Sequence, residues 1–336
     1  MTRIFILLTI FITSLAASAH VDITPSSNYV THTVPVNFSR ISRLETKTAI
    51  DIEYTDAPTQ KVQIYAPENL AKYVRVSLEG TTLSVSYNQS ISIHGNCTVK
   101  VMISAPDVTS FVTNSSGDIQ IKNSFNRSGK TVSLTTSSAG DIKGYNITAQ
   151  QINLKTNSAG DIRLSTIKCN SATLSTNSAG DIRVDNITAS SVSVQCNSSG
   201  DIYTNRIVCN QLSAASQSAG DVNIAGANCE YISAISSSSG DVKISGITAS
   251  IVEARSGSAG DIILSGMCNN AELSASSSSD IIASSLKAKT VKATTNSSVS
   301  SISCYAIERF EANKYRHSTI KNHANGHSTT IVTYDD

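Results

Sequence analysis

The sequence predicts an all-β protein, a β-solenoid of the parallel β-helix kind with about twenty residues per coil. Three observations lead there. A Gly-Asp pair recurs at Gly117, Gly140, Gly160, Gly180, Gly200, Gly220, Gly240 and Gly260, with a step of twenty residues from Gly140 onward. Apolar residues alternate within each copy. The second position after the Gly is Ile142, Ile162, Ile182, Ile202, Val222, Val242 or Ile262, and the twelfth and fourteenth repeat the pattern, as in Ile152 with Leu154 and Val192 with Val194. Aromatics make up only 5% of the chain and Trp is absent, a composition that suits small side chains on strands better than a bulky globular core.

Period-two alternation means two short half-buried strands per repeat, with polar turns between them. Twenty residues cannot bury a core alone, so the copies must stack, each coil adding strands to the same parallel sheets. At a strand spacing of about 4.8 Å, nine or ten coils give a rod roughly 45 Å long with Ile and Val ladders inside. The seventh position (Ile147, Ile167, Ile187, Ile207, Ala227, Ile247, Met267) belongs to that interior. The ninth (Ala149, Cys169, Ala189, Cys209, Cys229, Ala249) is small enough for an inner corner. Ser279-Asp280 continues the series with one residue deleted, and Val299-Ser300 is a degenerate last copy.

Taken in chain order, residues 1–19 read as a signal peptide: Arg3, an apolar run from Ile4 to Leu15, then Ala17-Ser18-Ala19. Cleavage near Ala19 would release a secreted or cell-surface protein, and no second hydrophobic stretch predicts a membrane span. Residues 20–36 read as an N-terminal linker. Residues 37–112 carry "TAIDIEY", "KVQIYA", "YVRVSLEG", "TLSVSY" and "TVKVMISAP", strands continuous with the solenoid. The repeat occupies 113–304, and 305–336, where it is lost, reads as a C-terminal cap or tail over exposed strand edges.

A formal net charge of +1 offers no general attraction to nucleic acid. The chain lacks a metalloprotease, nucleophile-elbow or phosphate-loop pattern, and its six His have no obvious acid partners, so no catalytic residue, metal or cofactor is expected. In the Gly-Asp corner, Gly would supply a backbone conformation that a Cβ resists and Asp would accept turn hydrogen bonds. The alternative is a cation ladder of Asp118, Asp141, Asp161, Asp181, Asp201, Asp221, Asp241, Asp261 and Asp280, which Lys143, Arg163, Arg183 and Lys243 could neutralise instead. His317, His323 and His327, or an N-terminal His20 binding copper, are weaker metal candidates, because an unclustered His is more often a solvated one. Seven cysteines are an odd number for a disulfide framework; Cys209 and Cys229 lie on adjacent coils within disulfide range, but Ala at the same position elsewhere favours buried thiols. Candidate glycosylation acceptors are Asn37, Asn88, Asn96, Asn114, Asn126, Asn146, Asn186, Asn197 and Asn296.

The run "IDIEYTDAPTQKVQIYAPENLAKYVRVSLEGTTLSVSY", then "VKVMISAPDVTSFVTNSSGDIQI" and the recurrent "SAGDI" copies resemble the putative auto-transporter adhesin head GIN domain family over roughly residues 38 to 300. The resemblance implies an exported β-solenoid with an adhesin-like role. The functional expectation is therefore a non-enzymatic extracellular interaction protein whose partner is unknown, a glycan being one candidate. The alternative is a carbohydrate-active solenoid enzyme of the polysaccharide lyase or hydrolase type, which would need an acidic cluster that does not repeat from coil to coil.

Overall fold

The computed structural model describes residues 20–35, 40–324 and 329–335, so the expected signal peptide, Asn37 and His327 lie outside the described residues. Residues 160–176 show how one coil forms. Ile162–Lys168 and Ser171–Thr176 are strands, and Ile162, Leu164, Ile167, Ala172, Leu174 and Thr176 all point into the interior, where each is at most 4% exposed. Strands that bury one face alternate in this way, and the polar residues between them remain at the surface.

Each coil repeats this arrangement in register. Ile162 lies beside Ile142 and Ile182, and the row continues through Ile202, Val222, Val242, Ile262, Ile281 and Ile302. A one-residue slip would turn the whole apolar set outward, so burial itself holds the register. The number of strand pieces per coil varies: Ile202–Ser216 runs unbroken, whereas the following coil is split into Val222–Ile224 and Ala227–Ser236.

The rod is longer than the repeat count implies, because both flanks join it. One sheet can be followed from Val74–Glu79 through Thr82–Tyr87, Arg43–Thr46 and Ser110–Thr113 into the coils, and on to Thr329–Asp335. That path is fifteen strands deep among the described residues, or about 65–70 Å at ordinary strand spacing. The stretch expected to be a linker contains Val21–Ile23 and Tyr29–Val34; the second pairs antiparallel with Lys61–Pro67, which itself pairs antiparallel with Lys100–Ala105. The N-terminal end is therefore closed by antiparallel strands and the short helix Glu68–Ala71, while the body is parallel. At the other end, Thr319–Asn322 and Thr329–Asp335 pair parallel with Ser301–Tyr315 and add a further coil without the Gly-Asp signature.

The one-residue deletion lies between Gly260 and Ser279, as the shortened Gly-Asp spacing indicates, and the register fixes its place. Ile244 still pairs with Leu264, but Ile247 pairs with Gly266, so the shorter coil loses its residue just after Leu264. Met267 is consequently paired with Thr248 and is 59% exposed, not interior as the seventh-position count predicts. Gly266 has φ +130° and a Cβ there would sit 2.3 Å from the carbonyl oxygen of Ile247, so only glycine fits the tightened bend.

At the joint between cap and repeats, Tyr54, Phe111 and Phe125 form an aromatic cluster with 5.1 to 6.3 Å between centroids, Tyr54 meeting both Phe rings in T-shaped contacts. The insertion around "NRSGK" forms a bulge in Phe125–Thr136 and delivers Arg127, only 6% exposed, to this cluster. Arg127 pairs with Asp56 and donates to the carbonyl of Val108 at 3.1 Å and the hydroxyl of Tyr54 at 3.2 Å. Burial and the neighbouring Asp56 carboxylate hold the Tyr54 phenol well above its ordinary range.

Candidate functional site

The Gly-Asp edge runs along the body of the rod, and the structure shows why each of the two residues is there. None of the eight glycines of the Gly-Asp pairs has positive φ; the described glycines that do are Gly80, Gly95, Gly129, Gly246 and Gly266. The expected special backbone is therefore not the reason for glycine. A Cβ on Gly160 would lie 2.2 Å from the carbonyl oxygen of Gly140, and one on Gly180 would meet Gly160 at the same distance. Successive coils touch backbone to backbone at this corner, and any side chain would force them apart.

Each Asp carries the contact to the next coil. The Oδ1 of Asp141 accepts from the backbone N–H of Asp161 at 2.9 Å, Asp161 from Asp181 at 2.8 Å and Asp181 from Asp201 at 3.0 Å. The same bond links Asp118 to Asp141, Asp201 to Asp221, Asp221 to Asp241, Asp241 to Asp261 and Asp261 to Asp280. The row begins one residue earlier than the repeat, since Asp51 accepts from Asp118 N–H at 2.9 Å, and it ends at Asp280, which accepts from the Ser301 hydroxyl. All nine predicted aspartates are thus brought together in one half-buried line.

The environment along the line is uneven. Lys143 lies 3.0 Å from Asp141, Arg163 2.6 Å from Asp161 and 3.5 Å from Asp141, and Arg183 3.9 Å from Asp181. Farther along, Tyr203 donates to Asp201 at 2.7 Å, and no ion pair reaches Asp221, Asp241, Asp261 or Asp280 among the described residues. Two carboxyls show the consequence. Burial raises the Asp141 carboxyl, but the Asp161 N–H, Lys143 and Arg163 outweigh it and hold Asp141 below the usual range. At Asp261 burial and the charges of Asp280 and Asp241 outweigh the Asp280 N–H, and the carboxyl is pushed up. Among the described residues, no three His, Cys, Asp or Glu side chains converge on a metal-sized site.

A third row was not read from the sequence. Buried hydroxyls four residues before the Gly satisfy the corner carbonyls in most copies, Cys196 standing at that position before Gly200: Thr136 donates to Gly160 O at 2.7 Å, Thr156 to Gly180 O at 2.8 Å and Thr176 to Gly200 O at 2.8 Å. Where Ser replaces Thr, the shorter side chain bonds within its own coil, Ser216 to Gly220 O at 2.7 Å and Ser236 to Gly240 O at 2.8 Å. The signal was available as a hydroxyl residue at an inward-facing position of the alternation.

Several shallow grooves mark the coil surface, two of them near the residues above. One of about 400 Å³ lies beside the Asp line over Gly144 and is lined by Lys143, Tyr145, Arg163, Arg183 and Asp185. The other, about 500 Å³, follows the small ninth-position residues at Cys229, Ala249 and Cys268, with Met267, Lys287 and Lys289 on its walls.

The remaining candidates are dispersed. His317 and His323 are exposed, while His20 and His94 lie 3.7 and 3.0 Å from Asp22 at the N-terminal end. Asn88, Asn96, Asn114, Asn126, Asn146, Asn186 and Asn296 are exposed, whereas the Asn197 amide donates to Asn177 at 2.8 Å and to Ser175 at 3.1 Å.

Comparison with known proteins agrees with this architecture. A putative adhesin from Bacteroides fragilis NCTC 9343 matches with a TM-score of 0.53 and 22% identity, over 72% of this chain and 99% of that one. A putative adhesin from Parabacteroides distasonis ATCC 8503 matches with a TM-score of 0.61 and 13% identity, over 74% of this chain and 99% of that one. At these identities the likeness shows the β-solenoid fold. No curated protein matches the chain. The family model described as putative auto-transporter adhesin, head GIN domain, matches residues 40–228 and again 227–326, and the chain belongs to that family.

Proposed function

We propose that the protein is exported by way of residues 1–19 and acts at the cell surface or outside the cell as a non-enzymatic, adhesin-like rod that binds a glycan. Membership of an adhesin head family supports the general role. The observation that carries the ligand class is the outward face of the second strand in each coil. Gln151, Ser171, Ser191 and Gln211 stand in register, and beside them Asn153, Thr173, Ser193, Ser213 and Ser233. Amides and hydroxyls both donate and accept, and a row of them one strand spacing apart suits the repeated hydroxyls of an extended sugar chain. The Asp line belongs to the scaffold on this reading, since its Oδ1 atoms are engaged by backbone N–H groups.

Incubation of the exported protein on a glycan array, with reducing-end release from polysaccharide mixtures measured in parallel, tests the proposal. Binding without new reducing ends is expected, and it should weaken in a variant carrying Asn153→Glu, Thr173→Glu and Ser193→Glu. Turnover would make the protein a carbohydrate-active enzyme. Binding that survives the triple substitution would place the ligand on another face.

A further inference from the structure

Of the seven cysteines, two occupy equivalent places on neighbouring coils and face each other. Cys209 and Cys229 are direct register partners in the parallel sheet, which puts their Cα atoms about 4.8 Å apart, inside the 4.4–6.8 Å range that a disulfide spans. Their Sγ atoms are 3.0 Å apart. The register partners of Cys268 at this position are Ala249 and Ala288, and the thiols of Cys196 and Cys304 point to the carbonyls of Asp221 and Lys321. The odd cysteine count therefore resolves into one facing pair and other thiols that the same register leaves single.

We propose that Cys209 and Cys229 form an inter-coil disulfide, closed by thiol–disulfide exchange that enters through Cys229. Both thiols are buried, Cys209 at 8% and Cys229 at 5% exposure, and the groove of about 500 Å³ beside Ala249 and Cys268 reaches the pair at Cys229. The shared hydrogen bond couples their acidity, so the first thiolate to form is held by its neighbour's S–H. As the sulfur at the groove, Cys229 is the one an incoming reagent meets first.

The reaction needs a disulfide oxidant, and a low-molecular-weight one such as oxidised glutathione suffices. The Cys229 thiolate attacks one sulfur, forms a mixed disulfide and releases one glutathione thiolate. The Cys209 thiol then loses its proton, attacks the Cys229 sulfur and expels the second. Two protein thiols become one cystine, and one oxidant disulfide becomes two thiols. The product would tie together two coils at residues 209 and 229, where the two family matches, 40–228 and 227–326, meet. Stacked repeats hold only their neighbours, so this bond would add a covalent tie to a joint otherwise held by sheet pairing, burial and the Asp201–Asp221 hydrogen bond.

The physiological oxidant rests on the export proposed above; the chemistry itself does not, and it can be tested on purified full-length protein. Reduced protein is incubated with oxidised glutathione, alkylated under denaturing conditions and analysed by mass spectrometry. The expected result is five alkylated cysteines of the seven and a peptide pair linked through Cys209 and Cys229. Cys229→Ala, which places at this position the residue that Ala189 and Ala249 already supply, should restore alkylation at Cys209, while Cys268→Ala should leave the linkage intact. Seven alkylated thiols, a glutathione adduct at Cys229 that never resolves, or a different pairing would overturn the inference. None of those results would bear on glycan binding.

Discussion

Gly180 and Asp181 divide one task between backbone and side chain. Glycine lets coil meet coil, and aspartate ties the contact with one hydrogen bond per step. Gly180→Ala should cost about 1–3 kcal/mol through overpacking against the Gly160 carbonyl, read as a lower urea midpoint. An unchanged midpoint would contradict the close stacking. The aspartates should respond individually to Asn, which keeps the accepting oxygen and removes the charge. Asp141 has a folded pKa below its unfolded one, so its ionisation stabilises the fold above the unfolded pKa, and that contribution is lost as pH falls. Asp261 is raised, so its ionisation costs stability at neutral pH and the cost disappears on acidification. At pH 7, Asp141→Asn should lower the melting temperature by about 1–3 °C and Asp261→Asn should raise it by a similar amount. As pH falls through the carboxylate range both differences should shrink, the one at Asp261 first, because its carboxyl is the one pushed up. Differential scanning fluorimetry across pH checks the sign, and equal shifts at the two sites would refute the uneven electrostatics.

The element that joins cap to coils is where charge is buried most deeply. Arg127 on the bulged strand meets Asp56 from the first coil, and Tyr54 donates to the same carboxylate at 2.9 Å. Arg127→Met leaves that carboxylate without its cation and should cost up to about 3 kcal/mol, since Asp56 keeps some contact with water. Adding Asp56→Asn should recover much of the loss. If the double variant is as unstable as the single one, the packing of the guanidinium against Phe125, 4.9 Å from its ring, matters more than the pair.

The whole molecule is a stack in which each coil touches only its neighbours. Its radius of gyration in small-angle scattering should therefore exceed the value of about 20 Å for a compact chain of this length. Circular dichroism should show strand with very little helix, in keeping with the single short helix Glu68–Ala71 among the described residues. A scattering curve of a compact sphere would contradict a rod fifteen strands deep. Hydrogen exchange should be slowest in the middle coils and faster toward Thr319–Asn322, where a sheet edge is open among the described residues.

The chain's own residues determined the coil length, the all-β class and the inward ladder, because a period of two within a period of twenty is local information: Ile182 is buried between Ile162 and Ile202 as its spacing requires. The Asp row was equally legible, since one residue type at one repeat position must align when repeats stack. Tertiary structure decided the rest. Why glycine precedes each Asp depended on how closely two backbones approach, and the reach of Thr156 to Gly180 depended on which coil lay below it. The exposed Met267, the antiparallel cap from Tyr29–Val34 and the last coil at Thr329–Asp335 were set by register between distant strands. The meeting of Cys209 with Cys229 combined the two: spacing placed them on adjacent coils, and only the packed interior aimed both sulfurs at one point. Spacing along a chain fixes which residues can be neighbours, and the close-packed contact between coils fixes what those neighbours do.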